Sequence, residues 1–192
     1  EVFLSPPTFV SRAWTLAAYA NLLLTRPFAR YFLNSLVVSL GSTLLSVTLA
    51  ALAAYGFTRF HIRGAGALIV FLLFTKMLPE TLLIIPYFRL MSELGLINTY
   101  FALILTYMVF TLPYAILLMT GYLNTLPKEL DEAVQIDGGT SWTALWRVIV
   151  PLSVPGIVAT SVYTFLLCLN EFLFALTLTK SMEMRTVPIG IQ

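Results

Sequence analysis

Charge is scarce in this chain. Asp, Glu, Lys and Arg make up 10% of its 192 residues, against about 25% in an ordinary soluble domain. Too few ions are present to cover a water-facing surface, so a membrane protein is the first expectation. The net charge of +2 is too small to argue for nucleic acid as a partner. Cysteine occurs once, as Cys168 in an apolar run; this excludes an internal disulfide and says nothing about redox compartment. Histidine also occurs once, in the basic turn RFHIRG, and without a second His or paired Cys no metal centre is expected. His61 there reads as a solvated or headgroup-contacting side chain. Lys76, Lys128 and Lys180 follow Thr75, Pro127 and Thr179, so none completes a Gly-Lys-Ser/Thr phosphate loop. Neither G-x-S-x-G nor H-E-x-x-H occurs. The expectation is a non-catalytic chain with no metal or cofactor residues of its own. No basic–apolar–small leader follows Glu1, so the numbered residues are expected to be part of a longer product.

What the chain has instead is long apolar runs. A bilayer core needs roughly 20 apolar residues in helix. Four stretches qualify: 31–58, 67–89 (interrupted by Lys76 and Glu80), Phe101–Tyr122, and 152–179 with Glu171 inside it. The expected fold is an all-α polytopic bundle. Ser42, Ser46, Ala50 and Ala54 recur every fourth residue on one face of the first span, a seam where small side chains let helices approach closely. Pro79, Pro86 and Pro113 lie inside spans two and three, where each removes a backbone donor and favours a kink. Before span one, AWTLAAYANLLL reads as an interfacial helix or a surface helix, with Trp14, Tyr19 and Phe28 among Arg12, Arg26 and Arg30.

Charges inside spans are costly and are normally paired or face a cavity. Lys76 and Glu80, four apart, share a helical face; they either neutralise each other or line a solute path. Glu171 follows Asn170, and it either hydrogen-bonds a polar solute or neighbouring helix, or snorkels to the interface. Asn170 and Glu171 are the candidate solute-path residues, with Tyr163 and Phe172 as aromatic faces suited to a sugar.

One polar island breaks the pattern. No charged residue lies between Glu93 and Lys128 or between Arg147 and Glu171, yet the intervening KELDEAVQIDGGTSWTALWRVIVP carries four acids. Pro127 suits a helix N1 position, and Glu129, Asp131 and Glu132 complement the dipole of the turns that follow. Leu130, Ala133 and Val134 give a small apolar face. Gly138 and Gly139 end this helix, and Thr140 or Ser141 caps a second, which runs from Trp142 to a stop at Pro151. Acids dominate where lipid-surface helices carry Lys and Arg, so docking into a groove on another protein is favoured over lying on lipid.

EAVQIDGG followed by WRVIVP resembles the EAA loop of binding-protein-dependent ABC importer permeases. The family pattern is Glu-Ala-Ala, three residues, Gly, nine residues, an aliphatic, one residue, then Leu-Pro. Glu132 and Ala133 match, Val134 replaces the second Ala, Gly138 falls at the required spacing after Asp137, Val148 is the aliphatic, Val150 replaces Leu, and Pro151 matches. FLNSLVVS, LAAYGFTRFHIRG, MLPETLLIIPYFRLMSELGLINTYFALIL, NEFLFALTLT and RTVPIGIQ extend the likeness over nearly the whole chain. They resemble the carbohydrate-uptake branch, similar to the maltose-type permease subunit.

The resemblance implies a type I importer permease fold, a single domain over 1–192 with its coupling loop at about 124–150. Six spans are usual in that branch, so the first and last would be missing and residue 1 would fall on the outer side. The implied partners are a second, different permease chain, two ATPase subunits that hold ATP and Mg, an extracytoplasmic solute-binding protein, and the lipid of a prokaryotic inner membrane. Leu130, Glu132, Ala133, Val134, Asp137, Gly138 and Pro151 would form the ATPase-docking loop on the cytoplasmic side. The basic residues alone argue the other way. Arg59, Arg63, Lys128 and Arg147 fall on the loop side, against Arg12, Arg26, Arg30, Arg89, Lys180 and Arg185 opposite, and the positive-inside rule would put the loop outside. The resemblance decides for the cytoplasm. Rival expectations are a permease for another solute class, an ion-coupled transporter using Lys76, Glu80 and Glu171 as relay groups, and a membrane scaffold.

Overall fold

The structure is a computed structural model, and it describes residues 27–191; the expected interfacial helix AWTLAAYANLLL lies outside them. The longest apolar run gives the longest element, α1 (Phe28–Arg59). It is followed by α2 (Ala65–Thr75), α3 (Glu80–Glu93), α4 (Tyr100–Leu123), α5 (Glu129–Ile136), α6 (Ser141–Leu152), α7 (Val154–Leu169), α8 (Leu173–Leu178) and α9 (Val187–Gly190). No strand is present among the described residues. Two helices, α1 and α4, are each long and apolar enough to cross a membrane; the bent pairs α2–α3 and α6–α7 raise the number to four if each is one span.

The seam on α1 is a packing surface. Ser42, Ser46, Ala50 and Ala54 are all fully buried, and α4 lies against them. Ser42 Oγ donates to the Ile104 carbonyl at 3.2 Å, and Ser46 Oγ lies 2.8 Å from Thr111 Oγ1. Such interhelical hydrogen bonds add about 0.6 kcal/mol each in membrane proteins; close backbone approach and dispersion do the rest. The same approach is made by α7, where a Cβ on Gly156 would collide with the Tyr122 ring.

Two apolar clusters fill the bundle. One gathers Val38, Leu103, Tyr107, Phe174 and Leu178. The other gathers Ala54, Tyr55, Met119, Leu123, Leu145 and Ile149. The second cluster marks the end of the bundle that carries the α1–α2 turn and the 124–150 loop. At the opposite end, buried Asn34 ties the C-terminal segment to α1: its Nδ2 donates to the Glu183 and Arg185 carbonyls at 2.7 and 2.8 Å, and its Oδ1 accepts from Tyr100.

Four boundaries differ from expectation. Stretch 67–89 is not one helix: α2 and α3 meet at 96°. Pro79 has no N–H and an extended backbone (ψ 124°), so the helix stops before it and restarts at Glu80. Lys76 and Glu80 therefore do not share a continuous helical face. The fourth span ends at Leu169 rather than near 179, because the chain turns at Asn170 before α8. Pro127 lies outside α5, whose N-cap is Lys128 and first residue Glu129. The second loop helix passes Pro151 instead of stopping there. It widens over Leu145–Ile149 into a π turn, where the Val150 N–H reaches the Leu145 carbonyl, and the 73° break follows at Ser153. Pro151 needs no donor, and a π turn absorbs the shift in register that its ring imposes.

Candidate functional site

The 124–150 loop is anchored by a carboxylate that local reading assigned only to the helix dipole. Asp131 is 7% exposed. Its Oδ2 lies 2.8 Å from Arg59 Nε at the end of α1, and its Oδ1 accepts from Tyr55 OH at 2.7 Å. Arg59 Nη2 also donates to the Leu126 carbonyl at 3.1 Å, and Tyr55 OH lies 3.1 Å from the Ser141 carbonyl. Tyr55 and Arg59, one helical turn apart, thus hold the first turn of α5, and the segments before and after that helix, to α1. Sequence offers no local sign of this, since Arg59 and Asp131 belong to separate helices; the available hint is an acid set between Leu130 and Val134, which turn inward.

Around that anchor the loop residues separate into two faces. Leu130 and Val134 are half-buried against their own chain, Leu130 beside the lower cluster and Val134 under Gly139. The apolar face expected to fill a partner's groove is thus partly covered by the chain itself. Glu132, Ala133 and Asp137 are exposed, together with Ile136, which is 86% exposed and was not singled out from sequence. Pro151 is exposed too, at the far end of α6. Gly138 has φ +84°, the left-handed C′ geometry expected at the corner, and a Cβ there would meet nothing within 4 Å of its own chain. Gly139 is glycine for another reason: a Cβ would lie 2.9 Å from the Val134 carbonyl oxygen. Thr140 Oγ1 accepts from the Thr143 N–H and caps α6.

Midway along α4 a cavity of about 590 Å³ opens between the α2–α3 elbow and the α7–α8 turn. Lys76, Glu80, Tyr163, Asn170, Glu171 and Phe172 all line it. Lys76 does not pair with Glu80; the ion pairs among the described residues are Arg30–Glu183 and Arg59–Asp131. Lys76 Nζ donates to the Phe110 carbonyl of α4 and stands 4.7 Å from the Tyr114 ring centroid. Glu171 neither snorkels nor hangs free. Its two carboxylate oxygens accept from the Phe174 and Ala175 N–H groups at 2.9 and 3.1 Å, closing the first turn of α8. Asn170 Nδ2 donates back to the Leu166 carbonyl at 2.8 Å, and its own carbonyl oxygen accepts no hydrogen bond among the described residues. The cavity therefore offers aromatic walls and mixed donors and acceptors, with no nucleophile–base pair. No cluster of metal-ligating residues occurs among the described residues.

Comparison with known proteins shows the family and the fold. The chain is 34% identical over 192 residues to the sulfoquinovosyl glycerol transport system permease protein SmoH of Agrobacterium fabrum, covering 100% of this chain and 67% of that one. It is 37% identical over 196 residues to the trehalose/maltose transport system permease protein MalG of Thermococcus litoralis, covering 98% and 70%. It spans about two thirds of the length of these relatives. The fold is that of a bacterial ABC transporter involved in the import of the acidic polysaccharide alginate, with a TM-score of 0.77 at 22% identity over 96% of this chain and 62% of that one. The profile of binding-protein-dependent transport system inner membrane components matches residues 46–192, from the α1 seam through the anchored loop to the last residue, and this chain belongs to that family of membrane permeases.

Proposed function

We propose that this chain is a sugar-conducting permease subunit of an ATP-driven importer in a prokaryotic inner membrane. Its partners would be a second permease, two ATPase subunits holding ATP and Mg, and an extracytoplasmic binding protein that delivers the solute. The observation that carries the proposal is the 124–150 loop: an acidic helix pinned to α1 by a buried ion pair, with Glu132, Ala133, Ile136 and Asp137 presented outward beside a glycine corner. A rigid, outward-facing helix on a lever is what force transmission from a motor requires. ATP binding draws the two such helices of the importer together, and each α1, gripped through Asp131, moves with its loop. The sugar reading rests on relatives whose names include trehalose/maltose and sulfoquinovosyl glycerol transport, and on the aromatic and amide lining of the mid-bundle cavity, in which Asn170 is the free polar contact.

The test is uptake of labelled sugars by proteoliposomes containing the full assembly and its binding protein. Uptake should require ATP and survive a proton uncoupler. Uptake that collapses under the uncoupler with ATP still present would instead favour the ion-coupled reading, for which the presence of Lys76, Glu80 and Glu171 in one cavity is the supporting observation.

A further inference from the structure

At the loop end of the bundle a second cavity, of about 620 Å³, lies between the α1–α2 turn and the start of α5. Its basic lining comes from Arg59, His61, Arg63 and Lys128, with no acidic residue among the lining groups. Arg59 is committed: its charge is met by buried Asp131, and its Nη2 holds the Leu126 carbonyl. That second bond has a consequence for Lys128. It draws residues 126–128 of the loop against the turn and so places Lys128 beside Arg63 and His61, although they are distant in sequence. His61, Arg63 and Lys128 are exposed, and neither Arg63 nor Lys128 has an ion-pair partner among the described residues. The rim is apolar, with Phe60 50% and Ile62 42% exposed at the very end of a membrane-spanning helix. Uncompensated cations beside exposed apolar side chains at the end of a long apolar helix match an amphiphile with an anionic head.

We propose that Arg63, Lys128 and His61, gathered by the reach of Arg59 from α1 to the loop, bind the phosphate of an anionic lipid headgroup, with Phe60 and Ile62 against its glycerol and upper acyl chain. The lipid would bridge the α1–α2 turn and the start of α5, so that bilayer composition biases how firmly the loop is seated. The proposal stands apart from the identity of the transported solute, because lipid retention is read on the assembled complex whether or not it transports.

The experiment is native mass spectrometry of the full importer released from nanodiscs of phosphatidylglycerol mixed with phosphatidylcholine. The wild type should retain phosphatidylglycerol selectively. Arg63→Gln and Lys128→Gln should each weaken that retention roughly fivefold, about what one cation near a membrane surface contributes, while Lys128→Arg should keep it. Inorganic phosphate in excess should not displace the lipid; if it does so fully, the site is one for a free anion and the lipid assignment fails. Unchanged phosphatidylglycerol retention in the Arg63→Gln/Lys128→Gln double variant would overturn the proposal. Loss of the ATPase subunits from that variant with lipid retention intact would overturn it in favour of a protein contact.

Discussion

Asp131 decides more than any other side chain in the loop. A buried ion pair gains little over an apolar packing, but breaking it leaves a desolvated charge, which costs about 3–5 kcal/mol. Asp131→Asn keeps an acceptor for the Tyr55 hydroxyl and strands the Arg59 guanidinium, whose side chain is 5% exposed. The expected outcome is a loop released by about 3 kcal/mol, read as faster proteolytic cleavage within 124–140 and as ATP hydrolysis no longer matched by uptake. The exchange Arg59→Asp/Asp131→Arg should recover part of both; recovery of neither would count against the pair as the anchor. Gly138 sets a different demand. A left-handed residue with a side chain costs about 1–2 kcal/mol, and Asn tolerates that region better than most. Because the space over Gly138 is empty within its own chain, Gly138→Asn isolates what a partner surface will accept. If the corner packs against an ATPase, Gly138→Asn and Gly138→Asp both stop uptake while the permease still inserts. If backbone strain alone matters, Gly138→Asn transports nearly normally.

At the scale of elements, α5 has an inner and an outer face, and they should fail differently. Ile136→Asp adds a charge at a position that is 86% exposed. It should leave thermal stability within about 0.5 kcal/mol and reduce co-purification of the ATPase subunits at least tenfold. Leu130→Asp puts a charge beside the lower cluster and should lower the melting temperature of the assembly itself. The helix and its glycine corner were legible in sequence because capping and turn chemistry are local: Thr140, Gly138 and the acidic first turn each act within a few residues. The division of its faces was not legible, since which side of an eight-residue helix turns inward depends on Tyr55 and Arg59, a long loop away. The α2–α3 elbow went unread for a related reason. Apolar content alone cannot tell a straight span from one broken at Pro79, because membrane helices tolerate proline when another group takes over the freed carbonyls. Across the elbow Lys76 donates to the Phe110 carbonyl of α4 and ties the broken span to that helix, so Lys76→Met should lower stability and uptake together.

For the whole molecule the open physical question is direction. Composition made a membrane bundle legible, and the small-residue seam marked the packing face of α1, though not that α4 would be what lies against it. Charge counting, however, assigned the loop to the exterior, against the family likeness. Two of the counted cations are met by carboxylates, Arg59 by Asp131 and Arg30 at 3.7 Å from Glu183, one on each side, so setting both aside leaves the direction of the count unchanged. Orientation is therefore best read chemically, and the chain is suited to it. Its single thiol, Cys168, is buried at 3% exposure, so Cys168→Ser gives a silent background into which exposed cysteines can be placed. Glu132→Cys reports the loop, and Lys180→Cys reports the opposite end of the bundle. In right-side-out cells an impermeant maleimide should label Lys180→Cys and spare Glu132→Cys; in inverted vesicles the pattern should reverse, and added ATPase subunits should protect Glu132→Cys. Labelling of Glu132→Cys from outside intact cells would place the acidic helix beyond the reach of any nucleotide-driven partner, and the coupling reading of the anchored loop would fall with it.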